Sequence, residues 1–121
     1  MKLKVIHIKE AGDIEKERVV LVSDEDENSW NYGLGKATAI GDGFHPFINN
    51  MFLLPEIIVT KGDMISIYTK KGNYRKYLFN GKVMVHEVFI GLESPLWKEG
   101  DSAVLFNISG WSSKKLITGG K

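Results

Sequence analysis

The chain predicts an all-β fold, an antiparallel sandwich of about seven to nine strands. Three observations carry that expectation. Two segments, Pro55 to Tyr68 and Leu96 to Asn107, each set a Gly-Asp turn before a run of alternating apolar and polar residues. Asn80-Gly81 sits between two further runs, and both residues accept the positive φ that a tight hairpin needs. No helical period persists over ten residues, whereas turn residues recur throughout. A length of 121 residues suits one domain, taken as residues 1–121, with a single core.

Taken in order, Lys2 to Lys9 reads as a strand, with Leu3, Val5 and His7 on one face. Ala11-Gly12-Asp13 is a turn. Arg18 to Val22 is β-branched and apolar on both faces, as a central strand is. Asp24 to Asn28 is a charged loop. Glycines 33, 35, 41 and 43 bracket a short strand near Lys36 to Ile40. Phe44 to Leu54 is apolar but broken by Pro46 and Asn49-Asn50. Met64 to Thr69 is a strand, and Lys70-Lys71-Gly72-Asn73 turns it into a hairpin with arms Tyr74 to Phe79 and Lys82 to Phe89. Ala103 to Ile108 and Ser113 to Thr118 complete the set. Val20, Leu21, Ile65, Ile67, Val104 and Phe106 are the expected core, with Trp97 and Trp111 capping its ends.

Composition narrows the function. An apolar share of 43% and an aromatic share of 11% argue for a packed domain over a disordered chain. The net charge of +1 selects no partner by sign. With no cysteine there is no disulfide framework, thiolate metal site or cysteine nucleophile. The basic start is interrupted by Lys9 before a secretory apolar run can form, which reads as a cytoplasmic protein if the chain is complete. No apolar run approaches the roughly 20 residues of a membrane span.

From Glu17 to Leu116 the chain resembles the lamin-tail family of immunoglobulin-like domains. The resemblance rests on Glu17 before Val19-Val20-Leu21-Val22, on Pro55 and Gly62 before a strand, on Leu96-Trp97, and on Gly100-Asp101 before Ser102 to Leu105. Gly35-Lys36 stands where that family usually has Gly-Trp, and Tyr74 to Glu93 looks like an inserted hairpin. The resemblance implies a non-enzymatic interaction or structural module, with no catalytic set and no cofactor. A protein partner or self-association is the contact it implies.

Candidate sites follow from residue type. Asp24, Asp26 and Asn28 open like a calcium loop, but Ser29 and Gly35 stand where the turn glycine and bidentate glutamate belong. A solvated acidic loop is the preferred reading. His7, His45 and His86 lack ligand spacing, so packing or hydrogen-bonding roles are expected. Charge is uneven: Glu10 to Asp63 holds eleven acids and four bases, whereas Met64 to His86 holds five bases and no acid. Lys70, Lys71, Arg75, Lys76 and Lys82 interleave with Tyr74, Tyr77 and Phe79. Such a hairpin can follow a phosphate backbone while its rings stack on bases, which makes nucleic-acid binding the alternative function. The simpler reading is that the lysines guard an exposed edge strand or are merely solvated. A head-to-tail contact between copies, acidic first half against basic hairpin, is a further reading. Trp30, among Asn28-Ser29 and Asn31-Tyr32, is the best candidate for an exposed aromatic that stacks on a sugar or partner side chain, although core or rim packing is the preferred reading.

Overall fold

The structure, a computed structural model, describes residues 1–117. Turn chemistry sets the frame. Gly62 and Gly100 have φ of 91° and 92°, the left-handed values that a type II turn demands at its third position. In both turns the following aspartate amide closes back by 3.0–3.1 Å, Asp63 to the Thr60 carbonyl and Asp101 to that of Lys98. Each aspartate carboxylate then accepts from the first residue's amide, Thr60 or Lys98, at 2.9 Å. The repeated Gly-Asp is thus one device used twice, and each copy launches a strand.

The strands are β1 (Leu3–Lys9), β2 (Arg18–Ser23), β3 (Glu27–Asn28), β4 (Tyr32–Ile40), β5 (Gly43–Phe44), β6 (Asn49–Leu53), β7 (Ile58–Val59), β8 (Met64–Tyr68), β9 (Arg75–Phe79), β10 (Val83–Phe89) and β11 (Asp101–Asn107). Three of them are two-residue ladders. The only helical turn among the described residues is 3-10, Ser29–Asn31, capped by the Asn28 side chain. The fold is an all-β sandwich. One sheet has the order β1-β2-β8-β10-β9; the other is centred on β4, with β11 on one side and β5 and β6 on the other. β3 and β7 form a short third ladder. Pairings are antiparallel except that β10 runs parallel to β8. The hairpin is therefore built into the first sheet: β10 is an interior strand and β9 the edge.

The core lies between the sheets. Leu3, Val19, Leu21, Ile65, Ile67 and Val88 meet Tyr32 and Leu34, and Leu54, Ile57, Val59 and Trp97 close the ends. Fully burying such a side chain is worth roughly 1.5–3 kcal/mol. Four expected core residues are buried, but β11 is turned the other way: Ala103 and Leu105 pack on the core, while Val104 and Phe106 face outward and are half-buried. In β1 a register shift between Val5 and His7 brings Ile8, rather than His7, onto the core. β4 begins at Tyr32, earlier than expected, because neighbouring side chains fill the space over its glycines. A Cβ on Gly33 would lie 2.9 Å from the Met51 sulfur. Trp111 is exposed. Residues 113–117 form no strand, and Thr118 lies outside the described residues.

Glu17 joins the layers at one end. It is fully buried, accepts from the amides of Gly12 and Leu96, both at 2.8 Å, and of Trp97 at 3.2 Å, and takes the Thr69 hydroxyl. A buried carboxylate is tolerated when donors surround it in this way.

Candidate functional site

Strand alternation divides the basic hairpin between two faces. Arg75, Tyr77 and Phe79 lie opposite Glu87, Val85 and Val83 and share their outward face, whereas Lys76 and Leu78 lie opposite His86 and Met84. Every residue of β9 is exposed. The sequence-predicted residues therefore do not form one patch. Lys70, Lys71 and Arg75 converge at one end of the outward face, with Tyr77 beside them. Tyr74 and Lys76 line a pocket of about 390 Å³ on the other face, with His86, Glu56 and Ile58. Lys82 sits in the hairpin turn, at the opposite end of β9 from Arg75. Asn80 and Gly81 there have φ of 52° and 65°.

The outward cleft, about 400 Å³, recruits residues that the linear sequence does not bring together. β2 and β8 pair so that Arg18 faces Tyr68, and parallel β10 sets Phe89 beside Tyr68. Tyr68 and Phe89 stack with centroids 5.3 Å apart. Arg18 and Lys70 lie over the Tyr68 ring at 5.6 and 5.5 Å. Lys16, Lys71 and Arg75 also line the cleft, against one acid, Glu15. Beneath it lies buried Glu87, which binds the Arg75 guanidinium and accepts from the Tyr68 hydroxyl at 3.1 Å. Burial, then the Glu87 charge, push the Tyr68 phenol above its ordinary pKa; Glu87 raises that of Arg75. Gly72 rests on Phe89: a Cβ there would lie 2.5–2.8 Å from three ring carbons.

On the other face, His86 is buried and shares a 2.7 Å hydrogen bond with the Tyr74 hydroxyl through Nδ1. Its Nε2 stands 3.8 Å from Asp63 without a hydrogen-bond partner among the described residues. Burial lowers its pKa, the Asp63 charge opposes this, and Lys76 adds to it. Burial alone would raise the pKa of Asp63, but bonds from Thr60 and Met84 hold it below 3.8.

Trp30 is exposed on the 3-10 turn. With Trp111, Leu53, Leu54 and Ile108 it lines an apolar groove of about 260 Å³. The acidic loop is occupied locally: Asp24 pairs with Lys4 at 2.6 Å, and Asp26 accepts from the Lys61 amide at 3.1 Å.

The second sheet's outer face is a feature that the sequence reading missed. Val104 and Phe106 of β11 flank Gly35 and Gly33 of β4. Ile48, Met51, Leu53 and Ile108 lean over those glycines, and none of these side chains is charged. Met51 and Leu53 are 46% and 61% exposed. The available signal was that residues 103–108 are apolar at both parities.

No helix among the described residues is long and apolar enough to cross a membrane. No family model, curated protein or solved structure matches the chain.

Proposed function

We propose that the protein is a non-enzymatic interaction module, immunoglobulin-like and of lamin-tail type, that associates through the outer face of the second sheet. The observation that carries this reading is the uncharged apolar strip formed by Val104, Phe106, Ile108, Met51 and Leu53 over Gly33 and Gly35. Contiguous apolar surface on a folded domain marks a contact site more often than chance exposure does. The partner is a second copy of the chain. A strip without charge meets its own image without like-charge repulsion, as an isologous two-fold contact requires.

Sedimentation velocity over a wide concentration series tests it. The wild type is expected to pass from monomer to dimer, and Val104→Glu to remain monomeric with an unchanged circular dichroism spectrum. A wild type that stays monomeric throughout overturns the reading.

A further inference from the structure

We propose that the first sheet carries a second, independent site, for single-stranded nucleic acid, made of the Arg18–Tyr68 cleft and the aromatic row on β9. The cleft supplies the phosphate contacts. Lys16, Arg18, Lys70, Lys71 and Arg75 line it with Glu15, and Arg75 is already bound by buried Glu87, which leaves Lys16, Arg18, Lys70 and Lys71 as the phosphate contacts. Arg18 makes no ion pair among the described residues, and its guanidinium donates only to the Lys16 carbonyl. Lys70 and Lys71 pair with Glu15 at 3.5 Å and Glu93 at 3.1 Å, acids that are 75% and 83% exposed. Such pairs are weak and solvent-screened, so a phosphate can displace them. Tyr68 holds Arg18 and Lys70 over its ring, which orders two long side chains before any ligand arrives.

The row supplies base contacts. Tyr77 and Phe79 are 46% and 45% exposed on the same outward face as Arg75. Rings two residues apart on a strand stand about 6.8 Å from each other, about twice the rise per base of a stacked duplex. A splayed single strand can lay successive bases on them, but a duplex cannot. Glu87 is buried and neutralised by Arg75, so the exposed cations that can take phosphate lie at the cleft end of the face. The backbone is thereby confined to the cleft at one end while bases cross the rings, the usual division of labour in sequence-tolerant single-strand binding. Lys76 and Lys82 lie outside the site.

Fluorescence anisotropy with a labelled thymidine oligonucleotide tests this, beside a duplex of matched length, heparin and a phosphorylated peptide. The single strand is expected to bind, to weaken steeply with salt, and to outcompete the other three. Arg18→Glu with Lys70→Glu should reduce binding at least tenfold, Phe79→Ala by about tenfold, and Lys82→Glu hardly at all. Urea midpoints of each variant separate lost binding from lost fold. Equal or tighter binding of duplex, heparin or phosphopeptide overturns the proposal, as does wild type that binds nothing at low salt. Val104→Glu should bind as wild type does, so failure of the dimer and failure of this site are read separately.

Discussion

His86 is the residue whose environment makes the most direct demand on solution behaviour. Its pKa is lowered by burial despite Asp63 nearby, so the folded state prefers the neutral ring and the unfolded state takes up a proton first. Stability from this group is fully present above its ordinary value of 6.5 and is lost as pH falls below that toward the depressed folded value. Asp63 acts lower down: its pKa is held below 3.8, so its contribution disappears only as pH falls through that depressed value. Urea midpoints measured between about pH 8 and pH 5 should therefore decline for wild type and flatten for His86→Gln. An unchanged slope in the variant would mean that the ring is charged or solvated when folded. Glu17 is held by donors on every side, and removing it leaves two buried ones, the Trp97 amide and the Thr69 hydroxyl, without a partner, at roughly 1–3 kcal/mol each.

At the level of elements, outer and inner residues of one strand should respond differently to truncation. Ile67→Ala opens the core and should cost about 2–5 kcal/mol, whereas Val104→Ala on the outer face should cost less than about 1 kcal/mol in the monomer. Equal losses in chemical denaturation would reverse the assignment of β11's faces. That assignment was not legible in the sequence, because Ala103, Val104, Leu105 and Phe106 are all apolar and alternation has no phase when both faces are. The Gly-Asp turns, the Asn-Gly turn, β2 and β8 were legible, since φ requirements and β-branched runs act locally. Part of the cleft was legible too: Lys70, Lys71 and Arg75 come from one run of sequence. Arg18, Tyr68 and Phe89 reach it only through strand register, a non-local property. The division of Tyr74 and Lys76 from Arg75 was available from strand parity alone.

The molecule as a whole is organised so that its first sheet contains a strand inserted out of chain order. β10 enters between β8 and β9, and the parallel ladder joins residues 21 apart, such as Met64 and Val85. From this arrangement we expect a particular order of assembly. The returning arm reaches β8 through the turn at Asn80-Gly81, and the expected order is that the two arms pair locally and then dock together. Hairpins close in about 1–10 μs, long before distant strands find each other. Until docking, β8 has a free apolar edge open to pairing with another chain, and the speed of the turn limits how long that edge is exposed. Gly81 isolates the effect: its φ is +65° and a Cβ there would meet nothing within 4 Å, so Gly81→Ala penalises the turn alone. Stopped-flow kinetics should find refolding slowed and unfolding nearly unchanged. The reverse result, faster unfolding at an unaltered refolding rate, would place the turn after the rate-limiting step. If refolding does slow, one small residue at the sheet's margin governs how long each newly made chain can pair wrongly through β8.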